Sequence, residues 1–184
     1  PISKVPLFAL LAICILSFSK AFVGFSTSGL ENPLTHLALA VFFLVLTQRS
    51  SLDPKRITWL ALIAACGTLN RMDTILFFLP ALSYVLWQHR NVRTLGAFAL
   101  GFLPFAVWEC FSLIYYGFPF PNTAYAKLST GIDGWSLVEQ GFCYFQDSFA
   151  RDPLTLTVIL LFGLVSPFFL KDKRLSAFSA GIAL

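Results

Sequence analysis

Long apolar runs alternate with short polar interruptions along almost the whole chain. A helix needs about 20 apolar residues to cross a bilayer, with a range of about 17 to 25. On that scale the runs predict six membrane spans and the beginning of a seventh, at about residues 5–23, 33–47, 57–70, 75–88, 94–116, 153–170 and 175–184. The predicted fold is an all-α, polytopic transmembrane helical bundle. Runs 57–70 and 75–88 are short, so this pair either crosses with polar extensions or turns back without crossing.

Composition supports the membrane assignment. The chain is 57% hydrophobic and 12% charged, with a mean hydropathy of +0.76, whereas soluble domains carry about 25% charged residues. The sequence begins at Pro1 and stops inside an apolar run at Leu184. We therefore expect residues 1–184 to be a partial transmembrane domain of a longer protein.

The basic residues predict an orientation. If successive spans cross the membrane in opposite directions, nine of the thirteen Lys and Arg residues lie on one side of it. They are Lys4, Arg49, Lys55, Arg56, Arg90, Arg93, Lys171, Lys173 and Arg174. Short cytoplasmic loops carry an excess of Lys and Arg, so this side is predicted to be cytoplasmic. These cations lie in short loops, which argues against a nucleic acid partner and leaves no room for a nucleotide-binding domain. The prediction is a multi-pass integral membrane protein.

Three polar segments interrupt the apolar pattern on the opposite side, which faces the periplasm, the cell exterior or an organelle lumen. They are residues 28–33, 70–73 and 115–127, here called the first, second and third polar segments. Charged groups close to lipid are expensive and usually functional. We expect the three segments to converge on one site.

The first segment has a structural interpretation and a functional one. Ser28 or Asn32 is a candidate helix cap, Pro33 suits the first helical position, and Glu31 is favoured by the helix dipole. An acid at this position also suits orientation of a sugar hydroxyl or of an arginine. His36 follows one turn inside the span; a lone histidine there is commonly a satisfied helix residue, and catalysis is the less favoured alternative.

The second segment contains an arginine and an acid two residues apart. Arg71 and Asp73 predict an ion pair that holds the turn together. Arg71 at the mouth of a bundle is also a natural phosphate contact, because its planar donors match phosphate oxygens. Glu109, an acid within span 94–116, is either functional or a structural partner of Arg71.

The third segment leaves its span through an extended path. Gly117 permits a sharp turn, and Pro119 and Pro121 exclude regular helix. Polar groups follow at the water boundary: Asn122, Thr123, Tyr125 and Lys127. The simpler interpretation is an aromatic belt with an interfacial lysine. The connection 117–152 is rich in aromatic residues, and we expect it to lie on the membrane surface and to be helical from about 134 to 150.

The segments "SGLENPL", "LNRMDTILF" and "YYGFPFPNTAYAK" together resemble polytopic glycosyltransferases of the GT-C fold. The similarity covers about residues 25–130 and is greatest to bacterial enzymes similar to the mycobacterial terminal arabinofuranosyltransferase and its relatives. The sequence departs from the family pattern at Asn32, where Thr is common, at Met72, where Pro is common, and at Thr74, where Gly is common.

The resemblance implies transfer of a sugar from a polyprenyl-phosphate donor to a glycan or lipid acceptor outside the cytoplasm. It implies phosphate contacts at Arg71 and Lys127, pocket groups at Asn122, Tyr125 and Tyr116, and orienting acids at Glu31 and Asp73. The catalytic base of such enzymes lies in the first extracytoplasmic loop, which we expect upstream of Pro1. Many members use a divalent cation, but no metal ligands are predicted in this chain.

Two other classes of function are compatible with the sequence. A secondary transporter or lipid-carrier flippase would place polar breaks near the bilayer midplane within related halves. Here the polar segments share one face, and no internal repeat is visible. A non-catalytic membrane assembly subunit is the third alternative.

Overall fold

The computed structural model describes residues 5–48, 52–120, 125 and 131–183. All regular secondary structure in this part of the chain is helical, as predicted. In chain order the helices are α1 Val5–Phe18, α2 Lys20–Thr27, α3 Asn32–Thr47, α4 Pro54–Asn70, a short 3-10 helix Met72–Thr74, α5 Ile75–Gln88, α6 Val92–Tyr116, α7 Gly134–Arg151, α8 Pro153–Phe169 and α9 Lys173–Ala183.

The first predicted span is not one straight helix. The chain bends by 73° at Ser19, between α1 and α2. The Ser19 side chain accepts a hydrogen bond from the Phe22 amide and so caps a new helix at a position where a continuous span would have none. A sequence window averages hydropathy across this point and therefore misses the break. The other predicted spans coincide with helices to within a few residues.

The central helices alternate in direction. α3 and α4 are antiparallel, since Glu31 contacts Arg71 at one end and Arg56 contacts Val45 at the other. α4 and α6 run parallel, because Gly101 packs near Ala61 while residues 72 and 112 line one cavity. We call the end where α4 and α6 finish and α3 and α5 begin the site end.

The core is formed where α3 to α6 meet α9. Its buried side chains are Phe42, Leu46, Ile57, Leu60, Ala64, Phe78, Ala81, Leu82, Val85, Ala97 and Phe178. Phe42 packs against Phe78 and Phe178, with ring centroids 4.9 and 5.5 Å away. Large apolar side chains such as Leu100, Leu103 and Val107 stay exposed along α6. An outer surface of this kind suits lipid rather than water.

Small residues let two helix pairs approach closely. A Cβ atom on Gly101 of α6 would lie 2.5 Å from the Ala61 Cβ and 2.6 Å from the Thr58 carbonyl oxygen of α4. A Cβ on Gly181 of α9 would lie 2.4 Å from the Phe77 carbonyl oxygen of α5. Close backbone approach at small residues is typical of helix association in membranes.

Among the described residues one helix, α6, is long and apolar enough to cross a membrane, and its 25 residues correspond to about 37 Å at a rise of 1.5 Å per residue. The number rises to three if α1 with α2, and α7 with α8, each form one bent span. The structure thus supports a membrane-spanning helix, and the six to seven predicted spans are not confirmed. The helices Asn32–Thr47 and Met72–Gln88 are apolar but shorter.

Part of the connection 117–152 is helical, as predicted. α7 covers Gly134–Arg151 and contains no buried residue. It joins α8 at a bend of 113°. Its location at a membrane surface stays a prediction.

Candidate functional site

The first and second polar segments meet at the site end. The Arg71 Nη1 atom donates to a Glu31 carboxylate oxygen at 3.1 Å. Its Nε and Nη2 atoms donate to the two carboxylate oxygens of Asp73 at 3.0 and 2.6 Å. The predicted Arg71–Asp73 pair is therefore present. We call these three side chains the acid–arginine cluster; it carries a formal charge of −1.

Backbone and side-chain bonds fix this cluster to the helix ends. The Asn70 side-chain amide donates to the Glu31 carbonyl oxygen and to the Thr35 hydroxyl, both at 3.0 Å. Asn70 thereby joins the last residue of α4 to the start of α3. The Thr74 hydroxyl donates to the Arg71 carbonyl oxygen at 2.7 Å and closes the turn. Three hydrogen bonds thus hold the backbone that carries the cluster, in addition to the charge attraction between its side chains.

The cluster stays accessible. The side chains of Arg71, Glu31 and Asp73 are 41%, 38% and 60% exposed. The hydrogen bond to Asp73 is the main reason that the pKa of Arg71 lies above its ordinary value. The hydrogen bond from Arg71 likewise holds the pKa of Asp73 below its ordinary value, against partial desolvation. Arg71 is therefore cationic and Asp73 anionic at neutral pH.

The third polar segment adjoins the second through Met72. A cavity of about 240 Å³ is lined by Met72, Trp108, Ser112, Tyr116, Phe118, Pro119 and Phe120. Gly117 ends α6 with a φ of 76°, the left-handed conformation predicted for the sharp turn. The Ser112 hydroxyl donates to the Phe118 carbonyl oxygen at 2.9 Å and holds the turn against α6. The ring of Tyr125 lies 5.5 Å from that of Phe118.

No family model, no curated protein and no solved structure matches the chain. The resemblance to the GT-C glycosyltransferases therefore stays a prediction, and the function rests on the geometry of the site.

Two further cavities flank α3 at the same end. The first, of about 320 Å³, lies between α1, α2, α3 and α8 and is walled mainly by Ile15, Leu16, Phe22, Phe25 and Val158; we call it the apolar chamber. The second, of about 390 Å³, includes Thr35, Arg71, Asp73, Thr74 and Phe77; we call it the polar chamber. The two chambers share Asn32, His36 and Ile159.

His36 differs from its expected role as a satisfied helix residue. Its Nδ1 atom is buried and has no hydrogen-bond partner within the described residues. The ring stacks on Phe22, with centroids 5.0 Å apart. Sequence spacing placed His36 on α3 but gave no sign of the apolar chamber, because that chamber is formed with α8, which is distant in sequence.

A carboxylate joins two helix starts beside the apolar chamber. Asp152 caps α8, accepting from the Thr155 amide at 3.1 Å. It also accepts from the Ala21 amide in the first turn of α2, at 2.9 Å. The Ser19 hydroxyl contacts that of Thr155. Donors from the two helix starts lower the pKa of Asp152. No local sequence pattern indicates this link, because it joins residues 131 positions apart.

Some sequence predictions need correction or lie outside the structure. Glu31, rather than Ser28 or Asn32, occupies the N-cap position of α3, and Ser28 lies at the end of α2. The described partners of Arg71 are Glu31 and Asp73, while a Glu109 carboxylate oxygen is buried without a partner in the described region. The predicted site residues Asn122 and Lys127 lie outside the described residues, as do Pro121 and Thr123.

The cavity beside Met72 has a signal in the sequence of α6 that was not part of the prediction. Trp108, Ser112 and Tyr116 recur every four residues and therefore lie along one face of α6. All three line the cavity. In the described part of the chain, no three His, Cys, Asp or Glu side chains are grouped to hold a metal ion.

Proposed function

We propose that this protein is an integral-membrane glycosyltransferase, which moves a sugar from a polyprenyl-phosphate donor to a cell-envelope glycan or lipid acceptor on the extracytoplasmic face of a bacterial inner membrane. One observation carries the proposal. Segments that are separated in sequence converge at the site end, where Glu31 contacts Arg71 across 40 residues and Met72 shares a cavity with Tyr116. Convergence of polar and aromatic groups at a helix-bundle mouth suits binding of a sugar beside lipid.

The acid–arginine cluster suits sugar hydroxyls better than phosphate. Carboxylates of Glu31 and Asp73 accept hydrogen bonds from hydroxyl groups. Arg71 uses three of its five N–H donors on the two acids, and two remain for a ligand. A formal charge of −1 disfavours an additional phosphate there. We therefore assign hydroxyl recognition to the cluster and the principal phosphate contact to Lys127, with Arg71 positioning the acids.

The proposed sugar transfer forms one bond to the anomeric carbon and breaks another. The acceptor oxygen forms a bond to the anomeric carbon of the sugar, and the bond from that carbon to the phosphate oxygen breaks. The polyprenyl phosphate leaves with the electron pair, and the acceptor proton passes to a carboxylate. A cation beside the leaving phosphate stabilises its developing charge. The proton-accepting carboxylate is not assigned to a residue of this chain, and a divalent cation remains an expectation from the family resemblance.

Transfer by the whole protein in lipid nanodiscs, supplied with a polyprenyl-phosphate-linked sugar and a membrane acceptor fraction, tests this function. Glu31→Gln and Asp73→Asn each remove a charged acceptor, and we expect each to lower turnover about tenfold or more. Lys127→Ala should do the same. The matched control is Asp147→Asn, which removes an acid from the exposed Arg151 pair on α7.

Equal turnover in the acid variants and the control would contradict the site assignment. Solute movement across a reconstituted membrane, with no glycan product, would contradict the enzyme and support the transporter alternative.

A further inference from the structure

The apolar and polar chambers form two halves of one candidate binding site. They share Asn32, His36 and Ile159, so a ligand passing between them runs along α3. Their volumes, about 320 and 390 Å³, are in the range of about 300 to 1,000 Å³ that is typical of ligand pockets. One half is walled by aliphatic and aromatic side chains, and the other is lined in part by Arg71 and Asp73 of the acid–arginine cluster. The pair therefore matches a molecule with an apolar chain and a polar head.

His36 occupies the boundary between the halves. Its Nδ1 atom is buried and unpartnered within the described region, and a buried polar atom without a partner costs free energy. Stacking on Phe22 at 5.0 Å holds the ring in this position. A ligand group that hydrogen-bonds Nδ1 would remove the cost at the point where head and chain meet.

We propose that the two chambers bind one amphiphile with a neutral, hydroxyl-bearing head, and that His36 hydrogen-bonds this head. The charge of the polar chamber decides the class of head group. Arg71, the cation among the described lining residues, is already paired with Asp73 in the lining and with Glu31 outside it. A phosphate therefore gains little charge attraction there, whereas the Asp73 carboxylate can accept hydrogen bonds from hydroxyl groups. Given the proposed glycosyltransferase function, on which this assignment rests, the amphiphile is the lipid acceptor rather than the polyprenyl-phosphate donor.

Photolabelling of the whole protein in phosphatidylcholine nanodiscs tests the site without requiring transfer. The probes are an alkyl glucoside and an alkyl phosphate that carry the same diazirine in the chain. We expect the glucoside to label peptides containing residues 15–25 and 158–159, and to label them at a lower concentration than the phosphate does. Mass spectrometry of the labelled peptides gives the location and the concentration dependence.

Two pairs of variants separate the parts of the proposal. Ile159→Trp fills the boundary between the chambers and should weaken glucoside labelling about tenfold; Leu164→Trp, at an exposed position of the same helix, should leave it unchanged. His36→Leu removes one hydrogen bond and should weaken labelling about two- to tenfold, whereas His36→Gln keeps a polar group and should weaken it less. Leu16→Phe fills the apolar chamber from α1 and is the alternative if Ile159→Trp fails to fold.

Each outcome has a defined consequence. Tighter binding of the phosphate probe overturns the neutral-head assignment. Labelling unchanged in both Ile159→Trp and Leu16→Phe overturns the site. Labelling that depends on Ile159 and His36, in a protein with no transfer activity, supports the amphiphile site and contradicts the acceptor assignment together with the proposed function.

Discussion

Arg56 and Arg71 lie at opposite ends of α4 and have opposite environments. Arg56 is 5% exposed and donates to the carbonyl oxygens of Val45, Leu46 and Gln48 at 2.8, 2.8 and 2.9 Å. These are the last carbonyls of α3, which have no partner within that helix. Arg71 is 41% exposed and binds two carboxylates. The same residue type thus closes a helix end at one position and presents acids to solvent at the other.

The difference distinguishes a structural arginine from one at a site. Arg56 binds backbone carbonyl groups at a packed helix end, so loss of these hydrogen bonds lowers the free energy of unfolding. Exposed ion pairs contribute about 0.2 to 1 kcal/mol to stability, so the fold needs the Arg71 contacts less. We therefore expect stability to depend on Arg56 and activity on the region around Arg71.

The largest expected effect is on stability at the buried end. Arg56→Ala leaves three carbonyl oxygens without their donor and should lower the free energy of unfolding by about 3 kcal/mol. Arg56→Lys, with a single compact ammonium, should recover part of the loss. Denaturant unfolding in detergent micelles, followed by tryptophan fluorescence, measures both. If Arg56→Ala lowered the free energy of unfolding as little as Arg71→Ala does, the assignment of Arg56 as the structural arginine would be wrong.

The second-largest expected effect is on stability where α6 packs against the middle of α4. Gly101→Ala places a methyl group against Ala61 and the Thr58 carbonyl oxygen and should cost about 2 kcal/mol, as overpacked cores do. Gly96→Ala is the matched control on the same helix, because no atom lies within 4 Å of the added carbon. The control should be neutral or stabilising by up to about 1 kcal/mol. The same unfolding measurement compares the two, and equal effects would contradict the close approach of α4 and α6.

The third effect separates stability from activity at the exposed end. Arg71→Ala should change the free energy of unfolding by less than about 1 kcal/mol, but should reduce sugar transfer about tenfold because Glu31 and Asp73 then repel each other. Parallel unfolding and transfer measurements on one preparation test this. A loss of activity that merely follows a loss of folded protein would make Arg71 structural, like Arg56.

The smallest effect is a pH dependence from Asp73. Because Arg71 lowers the pKa of Asp73 in the folded protein, its contribution to stability is present above the unfolded pKa of about 3.9 and is lost as pH falls through the lower folded value. Wild type and Asp73→Asn should therefore differ by a constant amount, less than about 1 kcal/mol, from neutral pH to about 5. The difference should shrink below pH 3.9, and a difference that grew there would contradict the pairing.

Sequence patterns predicted the helices well because apolar runs and turn residues are local signals. The boundaries of α3, α5 and α6, the turn at Gly117 and the Arg71–Asp73 pair were all accessible in this way. The meeting of Glu31 with Arg71 was predicted only as convergence on a common face, since no local pattern specifies which helix ends touch.

The remaining features depend on contacts between distant segments. The break at Ser19 is stabilised by Asp152, and the apolar chamber needs side chains of α1 and α8 together. In sequence Arg56 resembled the other cations that were predicted to be cytoplasmic, yet it is buried because the end of α3 packs against it. Charge counting along the chain cannot distinguish a solvated cation from one that closes a neighbouring helix.

The double role of Asp152 has a consequence for biosynthesis. The chain emerges from the ribosome with its N-terminus first, so α1 and α2 are made long before the carboxylate that accepts from the Ala21 amide, 131 residues later. The corner between these two helices can reach its final form only when α8 arrives. The corner at Ser19 is therefore completed only after more than a hundred further residues have been made.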